Sequence, residues 1–223
     1  MTREQYQNRL EDLRADVLYM SELVGNRLSR ALDALSQKDE AMAREVTDGD
    51  DVINRQYLEL EGECVNLIAR QQPVAGDLRF ITASFKILTD LERIGDLATN
   101  LAAYALEADR EIFSDVDTQQ IGAATLAMLD AAMEAYEAGD VDLCWAVARR
   151  DDEVDEMCES ASDAVVRGLI TSGELIEGEI ETKLPEVRRL LLTVRDLERV
   201  GDHAVNVAAR TLYMVESNDE LLE

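Results

Sequence analysis

Asp90–Asp96 reads DLERIGD, and Asp196–Asp202 reads DLERVGD. The two copies stand 106 positions apart, and Ile94 against Val200 is their one difference. The match continues through Ala98 and Ala204, Asn100 and Asn206, Ala102 and Ala208, and Ala103 and Ala209. A fixed offset of this kind marks a duplicated unit. Working outward, apolar residues recur in steps of three and four through Leu10, Leu13, Val17, Val24, Leu28, Leu32 and Leu35, which predicts an amphipathic helix over 3–36. Gln37-Lys38-Asp39 forms a turn with Asp39 as N-cap, and a second helix runs to Arg70, stopped by Pro73. Gly76-Asp77 opens a third helix, Leu78 to Leu106, which carries the first DLER copy. After a polar link over Asp109–Asp117 the pattern repeats. Helices are expected over Gln119–Ala138, over Val141–Ile170, and from Leu184 to Glu216 with Pro185 in the first turn. Gly139-Asp140 serves as C-cap and N-cap, Thr171–Glu181 as a loop, and Ser217–Glu223 as a frayed tail. No segment alternates with period two, so no sheet is expected. The fold class is all-α: two tandem three-helix bundles related by an internal repeat, over residues 1–110 and 118–217.

Composition agrees with long helices. Apolar residues make up 47% of 223, with two prolines and eleven glycines. The net charge is −26, from 48 acids against 22 bases, so nucleic acid and anionic lipid surfaces are repelled. Such a surface suits a high-salt cytoplasm, or equally a docking face for a basic partner. Cys64, Cys144 and Cys158 are an odd number without a CxxC pair, which points to a reducing compartment. The opening MTREQYQNRLEDLR has no secretory signal pattern, and no run approaches the ~18 apolar residues of a membrane span. A cytoplasmic protein is expected.

Residues four apart on a helix lie about 40° apart. Leu78, Phe85, Glu92 and Thr99 therefore form one row, with Asp96 a turn beyond Glu92; Leu184, Leu191, Glu198 and Val205 form its counterpart, with Asp202 a turn on. This reading turns two carboxylates per half toward the core. The preceding helices offer Asp151 and Asp155 beside Val147, Val154 and Cys158, and Asp50 and Asn54 beside Val46, Ile53 and Tyr57, with Glu61 as a possible extra ligand. Four acids that close cannot all stay ionised without a cation, and an all-oxygen set suits Mg²⁺, Ca²⁺, Mn²⁺ or oxidised iron. The alternative is a metal-free helical scaffold in which these acids pair with Arg93, Arg199 or other arginines. His203, the only histidine, points off the carboxylate row and reads as solvated or structural; Cys158 reads as core and Trp145 as core or interface. No nucleophile–base–acid set can be assembled around one such histidine.

The residues QQPVAGDLR (Gln71–Arg79), DLERIGDLATNLA, DDEVD (Asp151–Asp155) and DLERVGDHAVNVA together resemble the PhoU family of phosphate-transport regulators, over nearly the whole chain. The resemblance implies two tandem three-helix bundles and multinuclear metal sites, with iron the first candidate and Mg, Mn, Ca, Zn or Ni as others. It also implies a homodimer that negatively controls high-affinity phosphate uptake through the phosphate ABC transporter ATPase or its sensor kinase. Such a protein is no enzyme, and it meets the membrane only through the transporter. Carried over by position, the metal ligands are Asp151, Asp155, Glu198 and Asp202 in the second half. In the first they are Asp50, Glu92 and Asp96, with Asn54 where the full motif has an acid. The missing charge predicts weaker binding there unless Glu61 compensates. A ferritin-like di-iron oxidoreductase, the other class with helical carboxylates, needs Glu-x-x-His, which this chain lacks.

Overall fold

The computed structural model describes residues 2–49, 51–107, 116–171 and 177–222, and among them there is no strand. Seven helices follow in order: α1 Arg3–Gln37, α2 Glu40–Asp48, α3 Asp51–Gln71, α4 Ala75–Leu106, α5 Thr118–Ala138, α6 Val141–Thr171 and α7 Glu177–Glu216. In packing, α1 with α2–α3 and α4 repeats as α5 with α6 and α7. None of the described helices is long and apolar enough to cross a membrane.

Several helix ends follow from local chemistry. Asp39 caps α2 by accepting from the backbone N–H of Ala41 and Met42. Lys38 and Gly139, at equivalent places after α1 and α5, both adopt the left-handed conformation that closes a helix, with φ of 54° and 66°. Asp140 accepts from Leu143 N at the start of α6. Thr2 and Gln5 form a reciprocal capping box that opens α1.

Four expectations need correction. The helix read as continuous over 40–70 breaks at Gly49, because the buried Arg27 guanidinium donates to Val46 O and Gly49 O and satisfies carbonyls that end α2. α4 begins at Ala75 with Val74 as an N-cap that lends no side chain; Asp77 lies inside the first turn, where its charge meets the positive end of the helix dipole. α7 starts at Glu177, so Pro185 sits within the helix on its exposed side rather than in the first turn. Beyond Glu216 the chain turns over Asn218–Glu220 and lays Leu221 against the core. The polar link, where it falls within 108–115, lies outside the described residues.

One contiguous core runs through both halves. α4 and α7 pack against each other along its middle, α1 covers α4, and α5 and α6 cover α7. The fully buried set includes Leu13, Met20 and Leu28 of α1, Ile81, Leu88 and Leu101 of α4, Tyr136 of α5, and Leu197 of α7. Burying a side chain of this size contributes about 1.5–3 kcal/mol. Polar groups also tie the halves together. Ser84 Oγ and Tyr136 OH lie 2.7 Å apart inside the core. Arg14 stacks over the Phe80 and Tyr136 rings and donates to the terminal α5 carbonyls of Tyr136 and Glu137. A small satellite core of Val165, Val187 and Leu190 closes the outer end of α6 and α7.

Candidate cation site

The row that sequence spacing turned inward lies at the rim of the apolar face. Leu78 is 38% exposed and Leu184 51%, while Phe85, Leu191, Thr99 and Val205 are half-buried. The true centre of each face is one step round the helix, through Ile81, Leu88 and Gly95 in α4 and Val187, Val194 and Gly201 in α7. Glu92 and Asp96 are accordingly half-buried, and Glu198 and Asp202 are exposed. The reason is width. α4 and α7 contact helices on more than one side, so their apolar stripe is broad and a row at its edge satisfies the same spacing as one at its centre.

In the second half the four acids are electrostatic neighbours. Asp151 is half-buried and Asp155 exposed on α6, facing Glu198 and Asp202 on α7. Burial, then the charges of Asp155, Asp202, Asp152 and Glu198, push the Asp151 carboxyl up to about 6. Burial and the same neighbours raise Asp155 and Glu198. Asp151 Oδ1 is buried and has no hydrogen-bond partner. Gly201 makes room for it: a β-carbon there would come within 3.2 Å of that oxygen. Among the described residues no arginine or lysine pairs with any of these four acids. Cys158 lies against the group with its thiol near Val194 O, and burial and the four carboxylates push it up to about 12, so it stays a protonated core residue.

The first half is built differently. Asp50 lies outside the described residues. Glu92 and Asp96 share Arg93, at 3.6 Å and 3.7 Å, which is the arginine pairing weighed for a metal-free scaffold. Asn54 is half-buried on the α3 face that meets α4, where Ile53 packs under Gly95. Glu61 is half-buried near Cys64, whose thiol burial raises to about 12. Ile68, further along α3, is exposed. Among the described residues, no three His, Cys, Asp or Glu side chains are already gathered closely enough to hold a metal ion. The second-half acids still fit a cation by chemistry: an orphaned buried oxygen and mutually raised carboxyls are what an added positive charge relieves.

Sequence reasoning missed the first aspartate of each DLER copy. Asp90 Oδ1 accepts from His203 Nδ1 at 2.9 Å and from Asn206 Nδ2 at 3.3 Å, linking α4 to α7. Asp196, fully buried, accepts from Tyr104 OH at 2.8 Å and from Arg195 Nε and Nη2 at 3.0 and 2.7 Å, linking α7 back to α4. The signal was present in the repeat itself, as an invariant acid with no place in the ligand row. His203 thus has the structural role its position suggested.

A PhoU domain matches the chain twice, over residues 17–105 and 118–211. The chain belongs to the PhoU family. Among curated relatives it is 34% identical to the phosphate-specific transport system accessory protein PhoU homolog of Pseudomonas aeruginosa, over 97% of this chain and 87% of that one. It is 31% identical to the phosphate-specific transport system accessory protein PhoU of Escherichia coli, over 96% and 87%. The crystal structure of PhoU from Pseudomonas aeruginosa superposes with a TM-score of 0.84 at 34% identity, covering 96% of this chain and all of that one. The phosphate transport system regulatory protein PhoU from Streptococcus pneumoniae superposes with a TM-score of 0.86 at 26% identity, over 96% and 98%. The two matched PhoU segments fall within the α1–α4 and α5–α7 sets, and each carries one DLER copy and one acid group.

Proposed function

We propose that this protein is a regulator of phosphate transport that works by binding rather than by turnover. On this reading it restrains high-affinity phosphate uptake through the ATPase of a phosphate ABC transporter or the associated sensor kinase, from the cytoplasmic side and as a homodimer. The observation that carries it is the double PhoU match together with relatives named as phosphate-transport accessory proteins over nearly the full length. Among the described residues the three cysteines are buried and His203 is engaged by Asp90, which fits action by binding. Val52, Leu58 and Val65 leave apolar area exposed on α3, which supports self-association.

The second acid group is the cation site on this reading, with Asp151, Asp155, Glu198 and Asp202 as ligands; Asp50, Glu92 and Asp96 with Asn54 form its weaker counterpart, with Glu61 as a possible extra ligand. Iron is the leading candidate and Mg, Mn, Ca, Zn or Ni the others. A bound hard cation supplies positive charge that fixes α6 against α7. The protein's own part is to present Asp151 Oδ1 under Gly201 and to keep competing bases away. Deleting the gene in its own host and following labelled phosphate uptake in phosphate-rich medium tests the regulatory role. Uptake is expected to rise and to fall again on complementation. Unchanged uptake would refute it.

A further inference from the structure

We infer that the groove between α1 and α5 is the docking site for a basic amphipathic helix of a partner protein. The groove is lined by α1 and α5 alone and includes none of the candidate cation ligands, so it is a second surface for action by binding. The two helices run antiparallel. Gln119 Nε2 donates to Leu32 O at 3.0 Å near one end, and Arg14 Nη1 donates to Tyr136 O at 2.9 Å near the other. Between these fastenings an open groove of about 560 Å³ follows α1 from Leu18 to Ser29 and α5 from Leu126 to Glu137. Its floor is apolar: Leu129 and Met133 are buried, and Leu18 and Leu126 half-buried. Its rim is acidic, with Glu22 on the α1 side and Asp130, Glu134 and Glu137 on the α5 side, all exposed. The lining has no lysine or arginine, and α5 contains none along its whole length.

Gly25 lies on the floor, within the 35-residue α1. Glycine is a poor choice in a helix interior, because its backbone loses the most freedom on folding. Packing within the chain does not call for it. A β-carbon there would meet only Leu126 Cδ1 at 4.0 Å, an ordinary contact, whereas one on Gly122 would come within 2.4 Å of Leu32 Cδ2. At the offset that aligns Lys38 with Gly139 and Val46 with Val147, Gly25 corresponds to Leu126. The fold thus accepts a leucine at the equivalent point of α5. The bare position on α1 leaves the groove open, so that another backbone can come close.

Shape and charge together select the occupant. At ~1.5 Å per residue, Leu18 to Ser29 spans about 16 Å, the length of three turns of a helix. An amphipathic helix laid there sets its apolar face on the floor and its flanks between the acids of the rim. Those flanks are basic, because complementary charge is what steers a partner to such a rim. A second copy of this chain does not supply them: at a net charge of −26 it repels the rim, as nucleic acid and anionic lipid do. Four of the 48 acids take part, so the rest of the acidic surface keeps its solvating role.

Fluorescence anisotropy with the full chain tests this. The probe is a labelled leucine–lysine peptide of about 12 residues, with leucine on one helical face and lysine on the other. A scrambled peptide of the same composition is its control. The wild type should bind the amphipathic peptide at least tenfold tighter than the scrambled one. Gly25→Leu should weaken that binding at least tenfold and melt no lower, since leucine stabilises a helix relative to glycine. Asp130→Lys with Glu134→Lys should weaken it as much. Asp33→Lys with Glu159→Lys changes the net charge equally at exposed positions outside the groove and should leave binding within twofold. If the two lysine pairs weaken binding alike, the attraction is that of net charge and the groove is not the site. The same follows if the scrambled peptide binds as tightly, if Gly25→Leu binds as the wild type does, or if the wild type binds neither peptide. Should Gly25→Leu melt lower, the two lysine pairs decide. The phosphate-uptake measurement tests the regulatory role separately, so failure of the groove and failure of that role are told apart.

Discussion

Asp151 concentrates the electrostatics of the second half on one carboxyl. Its folded value of about 6 lies above the ordinary range, so folding favours its protonated form. A raised carboxyl opposes folding above its unfolded value and stops doing so as pH falls through the folded one. Asp155 and Glu198 are raised in the same sense. In chelator, the protein is therefore expected to melt higher at pH 5 than at pH 7.5, and Asp151→Asn should flatten that profile; both are read by calorimetry at fixed ionic strength. The Asp196 link gives a second prediction. Tyr104 OH donates to a fully buried carboxylate, and hydrogen bonds to charged groups are worth about 1.5–3 kcal/mol. Tyr104→Phe, half-buried, should cost ~1.5 kcal/mol in urea unfolding. Neither residue's burial was legible beforehand. Asp196 and Asp90 are identical in the repeat, yet only three-dimensional packing sets one fully inside and the other against His203.

At the scale of elements, helix existence and order were legible because residues such as Leu10, Leu13, Val17, Val24, Leu28, Leu32 and Leu35 recur at helical spacings of three, four and seven. The break at Gly49 was not, since it depends on Arg27, a residue 22 positions away that takes the freed carbonyl. The rim placement of Glu92 and Glu198 was not either: periodicity fixes which residues share a row, not how far round the helix the neighbours extend. The α1–α5 contact was likewise invisible. A methyl at Gly122 would run into the Leu32 side chain, so these helices approach as closely as they do because the position has no side chain. Gly122→Val is expected to cost about 1–3 kcal/mol by overpacking, measured by chemical denaturation, where an exposed glycine such as Gly62 should tolerate the change far better.

At the scale of the whole molecule, a charge of −26 on one shared core makes self-repulsion the dominant long-range force. The Debye length falls from about 30 Å at 0.01 M to about 3 Å at 1 M salt. Melting temperature should therefore rise steeply from low to molar potassium chloride; a flat profile would favour the acidic surface as a docking face instead. Composition and the two DLER copies made the all-helical duplication legible, and the PhoU match over both halves agrees with it. What composition could not convey is that the two acid groups have unequal surroundings: Arg93 pairs with Glu92 and Asp96, while among the described residues no base pairs with Glu198 or Asp202. The central claim, that the four second-half acids hold a cation, is tested most directly by melting wild type and Glu198→Gln with and without Mn²⁺. Binding energy adds to folding energy in the metal-bound state. The account predicts that Glu198→Gln melts lower than wild type in Mn²⁺ and at the same temperature or higher in chelator, where it relieves repulsion. An equal loss in both buffers would contradict it.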